Sequence, residues 1–202
     1  SYISMIQNLP YAIGFSLLNL LFLPLNWYMN RKKIQSCVRT NFDDRLPFIP
    51  LFYFPYLAFF LMIIFGPYLF ALYFPLVIYK PIIVSLLIDM FLSMVIWAIF
   101  PCIVIKPKHI DHDEHSYFVR KLLSYGRNYG NYNSIPSAHI SLITLYFIWL
   151  SYLSPSYWSL WISLSIINIL SVLLTRQHYI WDVITGVALS FAVFWLVQNI
   201  VI

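Results

Sequence analysis

The sequence predicts an all-α integral membrane protein, a bundle of six spanning helices forming one domain over residues 1–202. Three observations predict it. Hydrophobic residues make up 61% of the chain and charged residues 9%, whereas soluble domains carry about 25% charged residues. Mean hydropathy is +0.79. The apolar runs are long and continuous, where a transmembrane barrel would show short alternating segments.

A helical span needs about 20 apolar residues, and the runs can be taken in order. The first covers 11–29, with Pro24 as a kink point. A basic loop, "RKKIQSCVRTNFDDR", follows. The second run covers 47–78 and is longer than one bilayer crossing; Gly66-Pro67 and Pro75 predict a tilted or broken helix. The third covers 82–104 and contains Asp89, which is expected to face the bundle interior and bond a neighbouring helix. A polar connection leads to the fourth run, 136–153, started by Pro136. The fifth and sixth cover 157–174 and 180–202. Trp27, Trp158, Trp161 and Trp181 fall near run ends, where aromatic belts form.

The formal charge of +5 does not point to nucleic acid, because the basic residues sit in loops between spans, where they meet lipid headgroups or set topology. Cys37 and Cys102 form no CxxC pair and predict neither a disulfide framework nor a thiolate metal site. No basic segment or A-x-A site accompanies the first apolar run, so a removable signal peptide is not expected.

Alternation of the spans brings three distant segments to one membrane face: the end of span three with Lys106, "PSAH" at 136–139, and "RQHYIWD" at 176–182. His178 and Asp182 are spaced i, i+4, which puts them one turn apart on one helix face. A carboxylate beside an imidazole fixes its tautomer, which suits a nucleophile or base. The same pair also suits a plain helix cap. In "PSAH", the N–H groups of Ser137, Ala138 and His139 would point outward from a positive helix end and form an anion site, with His139 placed to give a proton to a leaving oxygen. Alone, this segment reads equally as a proline-started helix with an interfacial histidine. Lys106 or Lys108 can bind a phosphate oxygen or simply snorkel.

Taken together, these pieces resemble the type-2 phosphatidic acid phosphatase superfamily of membrane phosphatases and phosphotransferases. Pro136-Ser137-Ala138-His139 resembles its Pro-Ser-Gly-His motif, and His178-x3-Asp182 the catalytic half of its Ser-Arg-x5-His-x3-Asp motif. The chain looks closest to the inositol phosphorylceramide synthase-like branch, through "FPCIVIKP", "NSIPSAH", "TRQHYIWD" and "LPFIPLFYFPY"; the resemblance covers roughly 47–186. It departs from the pattern at the cations. Lys106-Pro107 replaces Arg-Pro, Ile99 stands at the lysine position, and Val172 follows Ser171 where arginine is expected; Arg176, one turn on, is the replacement candidate.

The resemblance implies a six-helix core and a metal-independent mechanism without cofactors. His178 would be the nucleophile, Asp182 its support and His139 the acid. Ser137, Ala138, Lys106 and Arg176 would hold the phosphate. Arg127 and Asn133, in the glycine-tyrosine stretch "YGRNYGNYN", would touch the headgroup or form a lid, or lie on the interface. The expected function is hydrolysis of a lipid phosphate monoester or diphosphate, with headgroup phosphotransfer and non-catalytic lipid binding as alternatives. "HIDHDEH" at 109–115 carries metal-ligand types without ligand spacing and reads better as a solvated loop than as a metalloenzyme site. The expected location is a bacterial inner membrane. Every Lys and Arg except Lys80 falls on the active-site side, which by charge alone is cytoplasmic. The resemblance implies a periplasmic or lumenal site, and that placement is the one adopted.

Overall fold

The computed structural model describes residues 2–31, 38–104 and 133–200. Among them the chain is helical: α1 (Tyr2–Leu20), α2 (Phe22–Arg31), the short α3 (Asn41–Arg45), α4 (Tyr53–Tyr73), α5 (Leu76–Ile99), α6 (Ala138–Leu153), α7 (Trp158–Leu174) and α8 (Ile180–Ile200). Single 3-10 turns at Pro50–Phe52 and Pro155–Tyr157 lead into α4 and α7. Five segments are long and apolar enough to span a bilayer, α1 and α2 counting as one of them; α6 is a shorter apolar helix. The chain is therefore an all-α, multi-pass membrane protein.

The prolines explain the breaks. Pro24 cannot donate a backbone hydrogen bond and its ring crowds the carbonyl four residues earlier. The first span accordingly breaks at Leu21 and resumes as α2. The second run is broken, one of its two expected forms, and the break falls at Pro75. Gly66-Pro67 lie inside an unbroken α4, which ends at Tyr73, and Pro75 is the N-cap of α5. The third span thus begins at Leu76, not Ile82. It closes at Ile99, not Val104, because the residue before Pro101 is pushed out of helical geometry. Likewise α6 starts at Ala138, capped by Ser137, with Pro136 just outside the helix.

α6 is the central helix. It packs against α4, α5, α7 and α8, while α1 lies outside against α4 and α5. Residues His139 to Phe147 of α6 are all buried. At about 1.5 Å per residue its 16 residues rise only about 24 Å, less than the roughly 30 Å hydrocarbon core. A helix wrapped by protein need not match lipid thickness. The outer helices turn apolar side chains outward: Leu17, Phe65, Val77, Phe91 and Trp195 are exposed. So much exposed apolar surface is stable only in a membrane.

Polar groups fix the helix registers. On α5, Ser85, Asp89 and Trp97 recur every four residues or a multiple of it and meet the α6 segment. Trp149 Nε1 donates to Ser85 Oγ (2.8 Å), Ser141 Oγ to Asp89 Oδ1 (2.6 Å), and Trp97 Nε1 to the Pro136 carbonyl (3.0 Å). Asp89 therefore bonds a neighbouring helix from a fully buried position. On the other side, Asn8 Nδ2 donates to the Ala71 and Phe74 carbonyls at the end of α4 (3.1 and 2.9 Å). In an apolar medium such bonds have no competition from water, so they select register as well as stability.

Candidate active site

Four connections meet at one end of the bundle. The Ile49 amide donates to the Leu174 carbonyl (2.9 Å), and the Ser134 amide to the Cys102 carbonyl (3.4 Å). Arg176 Nη2 donates to the Leu46 carbonyl (3.1 Å). Asp43 Oδ1 accepts from the Ile180 amide (2.9 Å). The convergence expected from alternation is therefore present, and it includes the loop after the first span.

The turn from α7 to α8 carries the centre of the site. The Arg176 amide bonds the Leu173 carbonyl (3.0 Å) and the Gln177 amide the Val172 carbonyl (2.9 Å). This is a Schellman termination, with Arg176 at the left-handed position. Its φ is 52°, a conformation that glycine adopts freely and arginine does not. His178 follows at once. Its Nδ1 lies 3.3 Å from Asp182 Oδ2, and the two side chains are 13% and 0% exposed.

Asp182 also serves the helix start. Its Oδ2 accepts from the Tyr179 amide (2.8 Å) and from Ser134 Oγ (2.5 Å). The capping role and the histidine-orienting role thus coexist in one carboxylate. Asp43, from the Thr40 capping box, supplies a second carboxylate to the same helix end. Negative charge there is favoured by the helix dipole. In the neutral ring, donation from Nδ1–H to Asp182 leaves the lone pair on His178 Nε2. A shallow cavity beside it is lined by Arg39, Asp43, Asp44, Leu46, Arg176 and Tyr179, among others. Arg176 Nε is buried and has no hydrogen-bond partner among the described residues.

The start of α6 forms the facing wall. The Ser137 amide donates to the Asp182 carbonyl (3.2 Å), and Ser137 Oγ accepts from the Ile140 amide (3.3 Å). This corrects the expectation that all three amides of 137–139 point outward. The Ser137 amide is engaged by α8, and Ala138 and His139 are the first-turn residues of α6, whose N–H groups have no partner within a helix. Gly186 permits the close approach: a Cβ there would lie 2.8 Å from the Ser137 carbonyl oxygen.

His139 sits behind this wall. Its Nε2 lies 3.0 Å from Asn168 Oδ1 of α7. Its ring stacks on Tyr56 of α4, centroids 4.5 Å apart and planes 12° from parallel. The structure therefore brings His139, Ser137, Ala138, Arg176, His178 and Asp182 together. Asn133 lies at the edge, in a backbone bridge with Cys102. Lys106, Arg127 and the 109–115 histidine-rich loop lie outside the described residues.

Sequence reasoning missed Ser134, Asp43, Asn168 and Tyr56. Asp43 had a visible signal, the Thr40-x-x-Asp43 capping pattern. Asn168 had another, as a lone amide inside an apolar run. Ser134 and Tyr56 had none, since each matters only through a tertiary contact.

Comparison with curated proteins and with solved structures returned no match. A family model did match: residues 78–201, more than half of the chain, fit the PAP2 superfamily, and the segment holds both histidines, the aspartate and the packed α6–α8 wall. The chain belongs to the PAP2 superfamily.

Proposed function

We propose that this protein is a lipid phosphatase, cleaving a lipid phosphate monoester or diphosphate through a phosphohistidine. The observation that carries the reading is the contact of His178 Nδ1 with Asp182 Oδ2, on a helix start packed against the His139-bearing end of α6. His178 Nε2 attacks phosphorus as the bond to the lipid oxygen breaks. His139 gives that oxygen a proton. Water, losing its proton to His139, then takes the phosphoryl group from His178, and both histidines return to their starting state. Arg176, the Ser137 hydroxyl and the Ala138 amide supply positive potential to the phosphoryl oxygens. Lys106 is assigned to the same task from its place after span three. Asp182 holds the His178 ring and supports the charge that develops on it.

A second reading, transfer to a lipid alcohol in place of water, is favoured by a specific observation. "FPCIVIKP", "NSIPSAH" and "TRQHYIWD" follow the inositol phosphorylceramide synthase-like pattern more closely than the general one. A single experiment addresses both. Purified protein in detergent is given a panel of lipid phosphates, with and without ceramide or diacylglycerol. Release of inorganic phosphate without an acceptor supports hydrolysis. A phosphorylated acceptor supports transfer. Neither product from any lipid would leave the non-catalytic lipid-binding alternative and overturn the proposal.

A further inference from the structure

Asn168 is fully buried in α7, outside every motif that relates the chain to its family. A buried amide is costly unless it is used. Its Oδ1 faces His139 Nε2 at 3.0 Å. The stacked Tyr56 ring holds the plane of the imidazole in line with this partner. His139 Nδ1 is buried and has no partner among the described residues. One ring nitrogen is thus committed and the other is left.

We propose that Asn168 is the positioning residue of the general acid: by accepting from His139 Nε2–H it assigns the transferred proton to Nδ1. The inference rests on the role given to His139 above. In the first step the imidazolium holds two protons. Nε2–H stays on Asn168 Oδ1, and Nδ1–H passes to the lipid oxygen as its bond to phosphorus breaks. His139 is then neutral with Nε2–H kept and Nδ1 bare. In the second step Nδ1 takes the proton of the attacking water or alcohol. An amide suits this task better than a carboxylate. It fixes the tautomer as a neutral acceptor, and so does not hold the imidazolium so firmly that the proton is hard to give up.

Three measurements test it. In wild-type protein at a pH where His139 is neutral, nitrogen-15 histidine NMR is expected to show its single proton on Nε2; a neutral ring with the proton on Nδ1 overturns the proposal, whether or not the protein turns over any lipid. Asn168→Leu is expected to slow the first step on a lipid phosphate by about 10- to 100-fold, part of the roughly 10²–10⁴-fold that a positioned acid supplies. The burst of nitrophenolate from nitrophenyl phosphate, whose leaving group needs no proton, should change by less than about 3-fold. Equal losses on both esters would mean that Asn168 only holds the bundle together. Asn168→Asp, a stronger acceptor, should restore turnover relative to Leu and move the limb of the pH profile that reports His139 upward by about one unit. An unmoved limb in an active Asp variant contradicts the assignment. Failure of the proposed function reads differently: wild type would then release no phosphate from either ester.

Discussion

Arginine at a left-handed helix terminus is a local conflict, and it yields a quantitative test. At φ 52°, Arg176 occupies a position that costs an L-residue about 1–2 kcal/mol relative to glycine. Glycine there would forfeit about 0.5–1 kcal/mol through the freedom it gains when unfolded. The net backbone advantage of glycine over alanine is therefore about 0.5–1 kcal/mol. Both substitutions lose the bond from Nη2 to the Leu46 carbonyl, so that loss cancels in the comparison. Arg176→Gly should then melt above Arg176→Ala by about 1–4 °C in detergent, since about 1 kcal/mol shifts a chain of this size by about 2–4 °C. Activity should not follow stability. A charge-assisted hydrogen bond contributes about 1.5–3 kcal/mol, so both variants should lose about 10- to 150-fold in kcat/KM for phosphate release. The assay pairs a thermal melt with initial rates on one lipid phosphate. An Arg176→Gly variant with near-normal kcat/KM would refute phosphate binding by Arg176. A glycine variant less stable than the alanine variant would refute the strain argument.

The remaining predictions concern the walls of the site. Gly186→Ala places a Cβ 2.8 Å from the Ser137 carbonyl oxygen and 3.2 Å from Ile140 Cβ. Neither atom belongs to a flexible side-chain end, so overpacking should cost about 1–3 kcal/mol and phosphate release should fall. Gly14→Ala, with nothing within 4 Å, should leave activity unchanged and raise stability by up to about 1 kcal/mol. Asp43→Ala strands the Ile180 amide and opens the Thr40 box, so about 1–3 kcal/mol should be lost in a melt, with a lower rate because the same turn carries His178. On sidedness, Phe42 is 58% exposed on the loop that touches the site. A Phe42→Cys variant with Cys37 and Cys102 replaced by alanine should react with an impermeant maleimide in intact bacterial cells if the site is periplasmic. Protection from that reagent would place it in the cytoplasm.

The helices were legible because bilayer solvation imposes long apolar runs, and these survive in sequence whatever the tertiary structure does. Their ends were less so. Pro75 and Pro101 each permit a kink, a start or a stop; the structure has Pro75 as the N-cap of α5 and Pro101 just after its C-cap. His139, His178 and Asp182 were legible because order and spacing recur as a family pattern. The Ser137 amide was misjudged because its acceptor, the Asp182 carbonyl, comes from a helix 45 residues later in the chain. Ser134 escaped for the same reason, since a serine carries no signature until its partner is in place. Asn168 was visible as a lone amide in an apolar run, but nothing in the sequence pointed to His139 as its partner. Arg176 lay between the two cases: its charge was visible, but its backbone conformation was not.

The central claim is that His178 is the atom donor to phosphorus, and trapping the intermediate tests it most directly. Wild-type protein and the Asp182→Asn and His178→Ala variants, each confirmed monodisperse in detergent, are mixed with a radiolabelled lipid phosphate and quenched in base, where a phosphohistidine survives and an acyl phosphate does not. The label should map to the peptide containing His178 in wild type. It should form more slowly in Asp182→Asn, because the ring loses its orienting charge. It should be absent from His178→Ala, which should release no phosphate because the attacking nitrogen is gone. Label on another residue, or near-normal turnover by His178→Ala, would contradict the account.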